Sequence, residues 1–204
     1  MITIVDYGMG NLKSIQNMLK KVGAESVITS DLTEVENAKK IILPGVGSFD
    51  TAIMNIEALG LKPVLNKLVL DGKVPIFGIC LGMQIMCNSS EEGHMDGFGW
   101  IDAEVKKFSF EKGSDLKVPH MGWNVVHAED GKDLFKDCSE EELRFYHVHS
   151  YYVKLNDEED QLATTNYSFE FTSGFRKNNI VGVQFHPEKS HSFGMQMFRN
   201  FSSL

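Results

Sequence analysis

Residues 74–87, Val-Pro-Ile-Phe-Gly-Ile-Cys-Leu-Gly-Met-Gln-Ile-Met-Cys, restrict the possible folds more than any other part of the chain. Ile76 and Phe77 form a short apolar run suited to a buried strand, and Leu81, Gln84, Ile85 and Asn88 recur at the three-and-four spacing of a helix. Cys80 falls at the turn between them, with Gly78 and Gly82 on either side. A strand that bends at once into a helix brings backbone close to the residue at the bend, where a Cβ on either neighbour would clash. The helix end also turns unpaired N–H groups and a partial positive charge towards a thiol placed there, and it aims the Leu81 N–H at a developing oxyanion. Two local readings stay open, a reactive nucleophile and a small buried hydrophobe.

The segments before this elbow supply a sheet for it. Strand-like runs at residues 2–5, 26–29 and 40–43 alternate with helical material at residues 12–22, stopped by Gly23, and at residues 49–71, interrupted near Gly60 and Pro63 and closed by Gly72. This order predicts an α/β fold with a mostly parallel central sheet flanked by helices and with sites at the carboxyl ends of its strands. The turn at Gly8 and Gly10 lacks the third glycine and the acidic partner of a dinucleotide site. Pro44-Gly-Val-Gly-Ser48 has no lysine and is not a phosphate loop. Because it follows a strand, it belongs on the same sheet edge as Cys80, where this loop could offer a second oxyanion donor; a plain turn fits the local residues equally. Shorter segments at 103–110, 124–127, 144–147 and 151–154 read as hairpins, an antiparallel strand extension of the core, with exposed loops at 111–117 and 137–142.

Residues 1–204 are read as a single domain, since 204 residues with 42% hydrophobic and 24% charged side chains can bury a core without cross-links. Three irregularly spaced cysteines do not make a disulfide framework and point to a reducing, cytoplasmic setting. No signal peptide and no membrane span are expected, and a net charge of −8 without a basic cluster argues against nucleic acid as a partner.

Near the end stands Gln184-Phe-His186-Pro-Glu188-Lys-Ser190. Pro187 biases His186 towards an extended conformation, in which residues two apart point to the same side. His186 and Glu188 therefore project together, as a general base held in one tautomer by a carboxylate, although a lone His-x-Glu reads as readily as a surface turn. His147 and His149 alternate along a strand, yet no further ligand stands at a suitable spacing, so no metal is expected. His94, His120, His127 and His191 show no partners in the sequence. Phe193, Met197 and Phe201 mark the core face of a last helix over residues 192–204.

With Gly-Ile-Cys80-Leu-Gly-Met-Gln84 and Phe-His186-Pro-Glu188 in this order and separation, the sequence resembles the class I (triad) glutamine amidotransferases, which implies a flavodoxin-like fold. Within that family Asp6-Tyr-Gly-Met-Gly-Asn11, Pro44-Gly-Val-Gly-Ser-Phe49, Pro119-His-Met-Gly-Trp-Asn124 and His147-Val-His-Ser-Tyr151 look like the glutaminase subunits of imidazole glycerol phosphate synthases. The resemblance implies a cofactor-free glutaminase with Cys80, His186 and Glu188 as its catalytic residues and Val46, Gly47 and Leu81 forming the oxyanion hole. Gln84, His149, Ser150 and Tyr151 match positions that cradle glutamine. It further implies a (βα)8-barrel cyclase as heterodimer partner in histidine biosynthesis, with Asn11, Leu12, Trp123 and Lys189 facing it. The run His191-Ser-Phe-Gly-Met-Gln-Met-Phe is similar instead to a paralogous branch whose ammonia amidinates an N-acetylated sugar for surface polysaccharide. The readings from other classes are a partner-free cysteine hydrolase and a non-catalytic interaction subunit.

Overall fold

The computed structural model describes residues 1–111, 113, 115–128, 133–138 and 142–204. Residues 112 and 114 of the predicted 111–117 loop and residues 139–141 of the predicted 137–142 loop lie outside them; the rest of the first loop is exposed.

Five parallel strands form the centre of the main sheet, in the spatial order Ser26–Thr29, Ile2–Val5, Ile41–Leu43, Ile76–Ile79 and Ile180–Val183. The central ones are buried along their whole length, and apolar but for Thr3, because helices cover both faces, as a parallel sheet requires. One core lies on the face of Phe49–Ala58, with Phe49, Ile53, Ile56 and Leu65, and the other under Leu12–Lys21 and His191–Ser203, with Ile15, Leu19, Phe198 and Phe201. Beyond Ile180–Val183 the sheet continues with Phe169–Lys177, Tyr151–Leu155 and Ala103–Lys107, each antiparallel to its neighbour. The expected parallel core with an antiparallel extension is therefore what the chain adopts.

Local differences have local causes. The helix after Cys80 is a single turn, Leu81–Gln84, and does not reach Asn88; the chain turns back instead, and the N–H of Phe98 donates to the Ile85 carbonyl at 2.8 Å. Pro63 does not interrupt the second helical stretch. The break is at Gly60 (φ 67°), and Pro63 sits in the first turn of Leu61–Asn66, where its missing N–H costs no helical hydrogen bond. The strand predicted at 124–127 instead runs His120–Val125 and pairs antiparallel with Arg144–His149 as a separate ribbon. The hairpin Gln161–Tyr167 with Phe169–Lys177 and the short helix Leu32–Glu36 are additions to the elements expected from the sequence.

Candidate functional site

Three neighbouring strands end side by side. Leu43 pairs with Gly78, and Ile79 pairs with Val183, so the chain leaves Ile41–Leu43 into residues 44–47, leaves Ile76–Ile79 into Cys80, and leaves Ile180–Val183 towards His186, all at one sheet edge. The bend at Cys80 is genuine, with φ 53° and ψ −109°, and its N–H donates to the Val183 carbonyl at 2.8 Å. A non-glycine residue in this region stores roughly 1–3 kcal/mol of strain and persists only where its surroundings hold it. Here the hold is close packing: a Cβ on Gly78 would lie 2.7 Å from the Gly82 carbonyl oxygen, and one on Gly82 would lie 1.8 Å from the Leu43 carbonyl oxygen. Residues 44–47 are pressed against the same turn, since a Cβ on Gly45 would be 2.6 Å from the Gly82 nitrogen. Tyr7, buried beneath, donates its hydroxyl to the Pro44 carbonyl, and burial holds that phenol far above its ordinary pKa.

His186 is 1% exposed, and its Nδ1 lies 2.8 Å from Glu188 Oε1. The turn carrying both is tied down from behind: Ser190 Oγ donates to the His186 carbonyl at 2.6 Å, and the His186 N–H donates to the Tyr146 carbonyl at 2.9 Å. Nε2 is buried without a conventional hydrogen bond among the described residues and lies in range of the Cys80 charge. Burial alone would lower the pKa of this ring. The charge of Cys80 and the contacts to Cys80 and Glu188 outweigh it and push the imidazole up to about 10. The other free thiols are unsuited to chemistry, because burial raises Cys87 strongly and Cys138 to about 11.

Cys80 and His186 open on a cavity of about 230 Å³. Of the residues picked out in the sequence, Val46, Gly47, Leu81, Gln84, His149, Ser150 and Tyr151 line it. Glu188 stands behind His186. Glu92, Pro119 and Val148 also line the cavity; Pro119 and Val148 belong to the two stretches 119–124 and 147–151 that carry the resemblance, and Glu92 has no signal in the sequence. Gln184 is a further addition: its Nε2 lies 3.6 Å from Cys80 Sγ, and its Oε1 accepts from Gln84 Nε2 at 3.0 Å. Its place two residues before His186, just past the end of the strand Ile180–Val183 in a segment that Pro187 biases towards extended backbone, is the available clue.

Outside the cavity, Trp123 is 45% exposed and stacks on His191 at 5.5 Å, and Lys189 Nζ lies 5.6 Å from the centre of the Tyr146 ring, which in turn touches Trp123. Trp123 and Lys189 thus share one patch. Asn11 is exposed at the start of Leu12–Lys21, whereas Leu12 is half-buried against the core. Two expectations about histidines need correction. His191 has the Trp123 ring as partner, and His120 joins His147 and His149 in a buried cluster whose ring nitrogens lie within 4.8 Å of one another. The third member is invisible to spacing because a cross-strand pair brings it in.

A cysteine on a strained elbow, an imidazole held by a carboxylate and a small polar cavity at parallel strand ends together suit acyl transfer through a thioester. Comparison with known proteins agrees with that chemistry. The family model for glutamine amidotransferase class-I matches residues 3–203. The chain is 52% identical over 201 residues to imidazole glycerol phosphate synthase subunit HisH 2 of Methanococcus maripaludis, covering 98% of each, and 45% identical over 205 residues to subunit HisH of Leptospira borgpetersenii, covering 100% of each. Its fold is similar to that in the structure of PurLQS from Thermotoga maritima, with a TM-score of 0.72, 19% identity and coverage of 98% of this chain and 96% of the other. On the strength of a match that leaves out only the terminal residues, the chain belongs to the class I glutamine amidotransferases.

Proposed function

We propose that this chain, as one glutaminase domain over residues 1–204, is the glutaminase subunit of an imidazole glycerol phosphate synthase, working in the cytosol as a heterodimer with a (βα)8-barrel cyclase. The observation that carries the chemistry is the pair Cys80 and His186 on one cavity with the buried Glu188 carboxylate holding the imidazole from behind. The full-length likeness to the two HisH subunits supports the pathway. No helix of the described residues is long and apolar enough to cross a membrane, which is compatible with that setting.

Cys80 attacks the side-chain amide carbon of glutamine, and the carbonyl oxygen becomes an oxyanion between the Leu81 N–H and an N–H of Val46 or Gly47. His186, whose raised pKa favours the imidazolium beside the thiolate, then protonates the departing amide nitrogen. Ammonia leaves, and a γ-glutamyl thioester remains. The now neutral His186 takes a proton from water, the hydroxide attacks the thioester carbon, and the thiolate departs as glutamate forms. Glu188 fixes the ring tautomer and stabilises its cation, while Gln84, His149, Ser150 and Tyr151 cradle the glutamine. The cyclase receives the ammonia across the face bearing Asn11, Leu12, Trp123 and Lys189.

Glutamate release by the purified chain, alone and then with a barrel cyclase and its phosphorylated ribulosyl ligand, tests the assignment. Release is expected to be slow alone and to rise strongly only in the full mixture. If it does not rise while Cys80 is still alkylated by a glutamine-mimicking electrophile, the mechanism stands and the ammonia acceptor is another molecule, the N-acetylated sugar first among them.

A further inference from the structure

The ribbon formed by His120–Val125 and Arg144–His149 places His120 directly opposite His149, with His147 two residues away on the same face. His120 is clamped as a plane between Tyr167, 4.0 Å away at 21°, and His147, 4.5 Å away at 24°. Its protonation pattern can be worked out from its neighbours. Asn124 Nδ2 donates to the Asn166 carbonyl at 2.9 Å, and Asn124 Oδ1 accepts from the Val125 N–H at 2.8 Å, so the amide has only one orientation. Its nitrogen therefore faces His120 Nε2 at 3.2 Å, and that ring nitrogen must accept. A neutral His120 then carries its proton on Nδ1, 3.2 Å from His149 Nε2. His149 accepts there and carries its own proton on Nδ1, which donates to the Tyr151 carbonyl at 2.7 Å.

Burial keeps these rings uncharged, lowering His120 to about 4, His149 to about 3 and His147 well below its usual value. The Tyr151 carbonyl also accepts from Gln84 Nε2 at 3.4 Å, and Gln84 connects through Gln184 to the Cys80 sulfur. His147 Nδ1, 3.2 Å from His149 Nε2, can only share the lone pair that His120 uses, and its Nε2 is buried without a partner among the described residues.

We infer that Asn124 and His120 are positioning residues, forming with His149 a one-directional relay of neutral hydrogen bonds that runs from the edge of the ribbon to the Tyr151 carbonyl and fixes the cavity wall on which glutamine rests. The inference rests on the glutaminase reading for its substrate. A three-histidine metal site is the competing use of the same rings. It needs a lone pair on His120 Nδ1, whereas the Asn124 amide puts a proton there.

Side-chain ¹⁵N spectra of the full chain give a test that does not depend on activity. His120 and His149 should both be Nδ1–H tautomers from pH 6 to 8, unchanged by Zn²⁺ at micromolar concentration. Asn124→Asp, which turns the donor into an acceptor, should move the His120 proton to Nε2. With glutamine and the partner present, His120→Phe should raise KM by roughly tenfold, as expected for loss of one buried hydrogen bond, with kcat changed far less. His120→Gln, which keeps one donor and one acceptor, should recover most of it. An Nε2–H tautomer in the wild-type chain, loss of the Nδ1–H signals on adding Zn²⁺, or equal impairment by Phe and Gln in folded protein would overturn the relay. Absence of glutaminase activity alongside the expected spectra would overturn the substrate and leave the relay standing.

Discussion

Replacing Cys80 by Ser should lower glutamate release, measured with the cyclase and its ligand present, by about four orders of magnitude or more, the scale on which removing a triad nucleophile acts. The hydroxyl is a far weaker nucleophile and carries no charge beside His186, so the imidazole, still held by Glu188, must first take the hydroxyl proton before it can protonate the leaving nitrogen. Circular dichroism should show an unchanged fold, because Ser fits the same elbow. Turnover within tenfold of wild type in that variant would exclude Cys80 as the nucleophile.

Gly82→Ala should have the largest effect on stability. The added methyl would stand 1.8 Å from the Leu43 carbonyl oxygen and 2.7 Å from its carbon, and both are backbone atoms of a central strand. Relief requires the elbow to move away from Ile41–Leu43, which also parts residues 44–47 from Cys80. A cost of about 3 kcal/mol or more follows from such overpacking, which for a chain of this size lowers the thermal midpoint by roughly 10 °C. Scanning calorimetry would measure it, and a midpoint within a degree or two of wild type would mean that the contact relaxes more readily than close-packed backbone allows.

What could be read in advance followed the range of the signal. Gly78, Cys80 and Gly82 encode a steric requirement within five residues, and Pro187 biases its own neighbour, so the elbow and the His186–Glu188 pair were legible. The sheet edge shared with residues 44–48 followed from strand order alone. The length of the helix after Cys80 was not legible, because Ile85 and Asn88 keep helical spacing while the chain turns back to meet residues 97–98. In the hairpin strand Phe169–Lys177, Phe171 and Phe175 are four apart and fit a helix face as well as a strand face. His120 became part of the site only through the register that sets it against His149, a property of two segments that neither sequence carries by itself.

That the strand Ile180–Val183 lies beside Ile76–Ile79 has a consequence for synthesis. Parallel pairing across about a hundred residues is non-local and slow to form, and a chain emerging from the ribosome has to complete its last strand before that pairing can begin. Until then the cysteine has neither its imidazole nor the Val183 carbonyl that anchors its own N–H. The growing chain carries its nucleophile early and its base late, so hydrolytic competence waits on the synthesis and pairing of residues 180–188.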